Sequence, residues 1–233
     1  MKGRLQGVDT RQSDRRPSAF NLLDPGPERP GREPAGPTAG ALLIGGQPRG
    51  LAPEDREFVE QSLGQLRYEP LGVLDRCARG HPRVILGFYG PGPSSEPPAR
   101  AQEPVISVTA FWLVCPWLRS AVSRLEAAGA IDRIEAMLRA DPALRQAFAH
   151  AQRLYRRLLY RLFRAELPAV DPGPYLARVR GVAGVADEHY VKCLHAQTAF
   201  TLATGRGPAG AVALTELALT RSPDGRWRGG CRG

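Results

Sequence analysis

The stretch Phe111-Trp112-Leu113-Val114-Cys115-Pro116-Trp117-Leu118-Arg119-Ser120-Ala121-Val122 changes its structural period at Cys115. Up to Val114 it belongs to an uncharged run from Val105, rich in Val, Ile, Phe and Trp, which reads as a buried β-strand. After Val114, Leu118, Val122 and Leu125 recur at helical spacing, and Pro116 suits a first helical position because the amide it lacks has no partner there anyway. Cys115 is then the residue capping the helix. A chain that passes from strand to helix in this way is neither an all-β sandwich nor a plain helical bundle.

Upstream, Arg83 to Tyr89 is a second strand, joined to Val105–Val114 through the turn-forming Gly90-Pro91-Gly92-Pro93-Ser94-Ser95-Glu96-Pro97-Pro98, which predicts an antiparallel hairpin with a long loop. Pro53-Glu54-Asp55 opens a short helix with Phe58, Val59, Leu63 and Leu66 on its apolar stripe. Downstream, Ile131 to Arg139 is helical. Asp141-Pro142 then caps the longest helix, running to about Glu166, with Leu144, Phe148, Ala151, Tyr155, Leu158 and Leu162 facing the core. Arg153, Arg157, Arg161 and Arg164 line another face of that helix, and no base-stacking aromatic is read among them. A last pair of helices is expected over Asp187–Thr204 and Ala211–Thr220, separated by Gly205-Arg206-Gly207-Pro208-Ala209-Gly210. The fold class is α+β, mostly helical, with a small antiparallel hairpin or sheet.

Residues 1–50 hold 7 Pro and 9 Gly with no apolar period, a composition that cannot repay chain ordering, so they read as a disordered arm. Residues 51–233 are expected to form a single globular domain with a flexible tail. The 233 residues are 42% hydrophobic and 24% charged, enough for one core. No stretch approaches the roughly 20 apolar residues of a membrane span. Met1-Lys2-Gly3-Arg4 is followed by no apolar signal segment, so the expected location is the reducing cytoplasm. The net charge of +9 and a pI near 10.0 favour a polyanion or an acidic protein as partner.

Four cysteines are too few for a disulfide framework, and in a reducing compartment they are thiols, ligands or nucleophiles. Cys77 lies in the turn-like Arg76-Cys77-Ala78-Arg79-Gly80-His81. Cys115 stands at a helix start, where free amides and the helix dipole favour thiolate, the form that attacks electrophiles or binds metal. Cys193 lies in Tyr190-Val191-Lys192-Cys193-Leu194-His195, and Cys231 in the glycine-rich tail. On a helix begun at Asp187, His189 shares the face of Cys193 and His195 does not; a helix begun later turns Cys193 and His195 inward together. Cys77, Cys115, Cys193 and Cys231, with His189 or His195 as a substitute ligand, are the candidate set for zinc or an iron-sulfur cluster. Against this set, no two cysteines share one tight turn. Glu126 is expected to pair locally with Arg119 or Arg133, and His81 and His150 to be structural.

Phe111 to Gly129, together with Val191-Lys192-Cys193-Leu194-His195-Ala196, resembles the bacterial domain-of-unknown-function family five hundred and one, over about residues 50–231. The resemblance implies a cytoplasmic bacterial domain of undetermined activity, with cysteines matching Cys77, Cys115, Cys193 and often Cys231, commonly encoded near enolase, a septum-formation initiator and an exopolyphosphatase. Many members carry a further cysteine where this chain has Arg79 or Gly80, and an Asn where it has Gly207. Three functions follow as expectations: a metal- or cluster-binding protein; a thiol enzyme with Cys115 as nucleophile and His195 as base; and a basic adaptor that binds nucleic acid, polyphosphate or a cell-division partner through the arginines of the long helix.

Overall fold

The computed structural model describes residues 50–64, 66, 68–87, 89–90, 105–107, 109–187 and 189–230. The arm expected over residues 1–50 thus lies outside the described residues except for Gly50, and so does Cys231. In chain order the elements are α1 (Pro53–Leu63), β1 (Gly72–Arg76), β2 (Pro82–Leu86), β3 (Tyr89–Gly90), β4 (Val105–Ile106), β5 (Phe111–Leu113), α2 (Pro116–Ala127), α3 (Ala130–Ala140), α4 (Pro142–Glu166), α5 (Gly173–Leu176), a 3₁₀ turn at Val182–Gly184, α6 (Leu194–Thr204), α7 (Pro208–Glu216), β6 (Thr220–Arg221) and β7 (Trp227–Arg228).

An antiparallel sheet of order β1-β2-β5 is the scaffold. The expected hairpin is present: Leu86 pairs with Phe111 and Val84 with Leu113, and farther along the same two segments Tyr89 pairs with Ile106. Strand β1 is an addition that the sequence reading did not contain. Its Gly, Asp and Arg disguise an edge strand, and its pairing with β2 carries irregularities between Val73 and Arg76. All of β2 is buried, because helices cover both faces of the sheet. On one face, Ile85 packs with Val59 of α1 and with Val114, flanked by Phe58, Val73 and Trp112. On the other, Phe111 meets Tyr155 of α4 and Phe200 of α6, with ring centroids 5.4 to 5.8 Å apart. Aromatic triads of this kind add tilted and edge-to-face attraction to their area burial. Truncating Phe200 removes an anchor of the type that typically costs about 3–5 kcal/mol.

One polar residue sits inside this sheet. Arg83 of β2 is 3% exposed; it grips Asp75 of β1 through two bonds of 2.5 and 3.0 Å and donates a third, of 2.7 Å, to the carbonyl of Trp227. Trp227 belongs to a small C-terminal hairpin, β6 with β7, where the sequence suggested only a tail. The buried guanidinium thus ties the C-terminal segment to the sheet.

The helices α2, α3 and α4 follow the expected plan. Cys115 is the N-cap of α2 and Pro116 its first residue. Asp141 caps α4, accepting from the amides of Ala143 at 2.8 Å and Leu144 at 3.1 Å. Helix α6 departs from the plan: it begins at Leu194, not at Asp187. Every residue of it from Leu194 to Leu202 except His195 is buried, so the strip that normally marks helix limits by polarity is missing. Helix α7 also ends early, at Glu216. The two cross at Gly210, where an added Cβ would stand 2.2 Å from Thr201 Oγ1 and 2.3 Å from the Gln197 carbonyl oxygen. Among the described residues no helix is long and apolar enough to cross a membrane.

Candidate metal centre

The late start of α6 rearranges the chemistry at its mouth. Cys193 is the N-cap, in extended conformation, and its side chain makes no capping bond. The neighbouring amides are served from other helices instead. Glu126 of α2 accepts from the Leu194 amide through Oε1 at 2.7 Å, and Glu135 of α3 accepts from the Val191 amide at 3.1 Å. Carboxylates beside a helix start satisfy unpaired amides and suit the positive end of the dipole.

His195, in the first turn, points back toward α2. Its Nδ1 is 3.2 Å from Glu126 Oε2. Its Nε2 donates to the Arg119 carbonyl at 3.1 Å and lies 3.2 Å from Ser123 Oγ. Arg119 is fixed in turn, its guanidinium donating to the Ser62 carbonyl at the end of α1. Arg119, Ser123 and Glu126 recur at i, i+4 and i+7, one polar stripe of α2 turned toward α6. The hydrogen-bonding Cys193 thiol, then the Glu126 charge, the Cys193 charge and the Arg119 carbonyl hold the imidazole pKa above its ordinary value, against the opposing effect of partial burial.

The ligand atoms of Glu126, Cys193 and His195 all lie within 4.8 Å of one another, and all three residues are partly exposed. Bonds of about 2.0–2.3 Å to one tetrahedral zinc require ligand atoms roughly 3.3–3.8 Å apart, so the group is within small side-chain adjustments of a chelating arrangement. Two contacts already set its orientation. The Arg119 carbonyl accepts from Nε2–H, which turns Nδ1 toward Glu126 Oε2, and the Leu194 amide pins the other oxygen of Glu126. Ligating histidines and carboxylates are typically held by such partners.

The remaining sequence candidates are dispersed. Cys77 is buried in the β1–β2 turn, where its amide donates to the His81 carbonyl at 3.0 Å. Cys115 is 4% exposed, between strand and helix. Among the described residues neither belongs to a group of three or more potential ligands. His189 is exposed and stands outside the group, since the helix that was to align it with Cys193 starts five residues after it. The His81 ring stacks on Phe58 at 5.0 Å, and His150 is exposed on α4. Glu126 is the residue whose role the sequence reading missed. Arg119 and Arg133, its expected local partners, are engaged elsewhere, Arg133 with Glu216 at 3.0 Å. The signal available in the sequence was the polar stripe from Arg119 to Glu126, flush against the apolar stripe of the same helix.

The fold is an α+β domain in which sulfur, nitrogen and oxygen side-chain atoms from Cys193, His195 and Glu126 gather at the start of α6. Over residues 73–215, from β1 to the end of α7, the chain matches the family described as Protein of unknown function (DUF501), and it belongs to that family. The three clustered residues fall inside the matched span and Cys231 falls outside it. Neither the curated proteins nor the solved structures contain a match to this chain.

Proposed function

We propose that this protein is a cytoplasmic metal-binding domain spanning residues 51–233, which holds one zinc ion through Glu126, Cys193 and His195. The observation that carries the reading is the convergence of three different ligand types, from α2 and from the start of α6, on one half-exposed point. A donor set of one thiolate, one imidazole and one carboxylate suits zinc. An iron-sulfur cluster is less well served, because clusters are held by several thiolates and Cys193 is the one cysteine in the group. Three protein ligands leave a fourth position to solvent, the arrangement of zinc sites that activate water or bind a substrate atom.

The test is metal analysis of the full chain purified without chelator, followed by cobalt substitution. Near one zinc per chain is expected, and the cobalt form should show a near-ultraviolet thiolate charge-transfer band that Cys193→Ser removes. His195→Ala should abolish the thermal stabilisation that zinc confers, about 2.7 kcal/mol at a free concentration one hundred times Kd. A wild-type chain that takes up no zinc on titration at neutral pH sinks the proposal.

A second reading is favoured by the same geometry. For a thiol enzyme, the cysteine beside His195 is Cys193, and it is more exposed than the buried Cys115. Cys193 would then be the nucleophile and His195 its base, with Glu126 beside the imidazole Nδ1 and the Arg119 carbonyl on Nε2. Rapid alkylation of Cys193 in metal-free protein, slowed by His195→Ala, supports this reading, whereas labelling of Cys115 ahead of Cys193 counts against it.

A further inference from the structure

Helix α4 carries a second polar feature, distinct in character from the group at Glu126, Cys193 and His195. Its 25 residues hold six arginines against one glutamate. Arg153, Arg157, Arg161 and Arg164 are all exposed, and on a helix of 3.6 residues per turn they share the side opposite the buried stripe of Leu144, Phe148, Tyr155 and Leu162. The structure adds an aromatic to this face: Tyr160 is 50% exposed, in a chain where Tyr190 is the other large hydrophobic residue exposed to that degree among the described residues. Arg157, Tyr160, Arg161 and Arg164 stand at i, i+3, i+4 and i+7. Among the described residues no carboxylate forms an ion pair with Arg157, Arg161 or Arg164.

Like charges at this spacing repel one another, so Arg157, Arg161 and Arg164 are held together at a cost to the helix. Tyr160 adds a half-exposed flat ring beside those guanidiniums. We infer that the exposed face of α4 binds single-stranded nucleic acid, the arginines taking successive phosphates and Tyr160 stacking on a base. The occupant follows from complementarity. The row demands regularly spaced negative charge, which polyphosphate, duplexes and single strands all supply. A ring standing among the arginines can be used only by a strand whose bases are unstacked and free. The row from Arg157 to Arg164 is roughly 10 Å long at 1.5 Å per residue, the reach of two successive nucleotides.

The experiment titrates the full chain into fluorescein-labelled RNA and DNA single strands of about 15 nucleotides and follows anisotropy from about 50 to 200 mM salt. Saturable binding is expected, with log K falling by about 0.7 per log unit of salt for each phosphate contacted. The triple variant Arg157→Gln, Arg161→Gln and Arg164→Gln should bind at least tenfold more weakly and lose about two units of that slope. Tyr160→Ala should weaken binding by about 5- to 100-fold with the slope unchanged, and Tyr160→Phe should restore it. All four positions are exposed, and circular dichroism checks that each variant folds. Preference for ribose or deoxyribose identifies the strand and supports the proposal either way. Several outcomes overturn it: no binding at low salt, binding that the triple variant leaves intact, wild-type affinity in Tyr160→Ala, or tighter binding of a duplex. Polyphosphate that displaces the strand from wild type and from Tyr160→Ala with equal ease also overturns it. Because the titration includes a chelator arm with the same expected result, failure of the zinc reading leaves this test unaffected.

Discussion

Two polar clusters in this molecule use the same kinds of charge to opposite ends. Asp75 and Arg83 meet inside the sheet, and Arg83 has a further acceptor in Trp227. Glu126 and His195 meet at the mouth of α6, with a thiol beside them, and both side chains are 27% exposed. The first cluster is closed: its guanidinium is 3% exposed and has its acceptors, so a new ligand would have to break something to enter. The second is partly open: the ligand atoms of Glu126, Cys193 and His195 lie within 4.8 Å of one another at a partly exposed point, where Glu126 and His195 also meet each other. Burial of charge with complete pairing marks a structural device, and partial burial leaves polar side chains that solvent and a ligand can reach.

The contrast predicts unequal costs on mutation. Asp75→Ala strands a buried guanidinium and should destabilise the protein by about 3–5 kcal/mol in urea unfolding while leaving zinc stoichiometry unchanged in whatever fraction stays folded. A loss below 1 kcal/mol would mean that the sheet pair is not closed in the sense argued. Next in size is Glu126→Ala, which removes the acceptor for the Leu194 amide and should cost about 0.5–2 kcal/mol in chelated protein, with metal uptake lost as well. Glu126→Gln keeps an acceptor for that amide and should recover most of the stability while metal binding stays weakened, because a neutral amide is a poorer ligand than a carboxylate. If Gln and Ala behave alike in both assays, capping and ligation are not the separable roles described for Glu126.

The smallest effect is one of pH. The folded-state pKa of His195 is raised above its unfolded value, so the stabilisation it gives the metal-free protein is fully present below about pH 6.5 and fades as pH rises through the folded value. Zinc has the reverse dependence, because it competes with the proton for Nδ1. Melting curves with chelator and with zinc should therefore diverge as pH increases, and His195→Gln should flatten the chelator series. Curves that stay parallel from acid to alkaline pH would remove the histidine from the site.

How much of this was readable in advance depended on which residues faced water. Helix α4 was legible because one side is solvated: Leu144, Phe148, Tyr155 and Leu162 recur against arginines, and Asp141-Pro142 announces the start. Helix α6 was not, because from Ala196 to Leu202 it has no solvated side, and an apolar stretch carries no phase from which a first residue can be read. Its late start moved Cys193 to a cap and brought His195 round to α2. Strand β1 was hidden for the converse reason, an edge position that tolerates Gly72, Asp75 and Arg76. The cysteines drew attention through their distinctive neighbours, yet proximity between Glu126 and His195 is a property of helix crossing that spacing along one chain does not encode. Tyr160 lay outside both the apolar stripe and the arginine row read from the sequence, and the structure leaves it half exposed beside Arg157, Arg161 and Arg164.

The crossing at Gly210 has a consequence for how the ligand group is kept in register. With backbone and the Thr201 hydroxyl filling the space where a side chain would stand, α6 and α7 meet as a locked joint with no compliant layer between them. A displacement of Cys193 or His195 is thus shared by two helices, and the far one pairs with α3 through Glu216 and Arg133. An alanine at 210 would wedge that joint open and loosen the aim of residues it never touches.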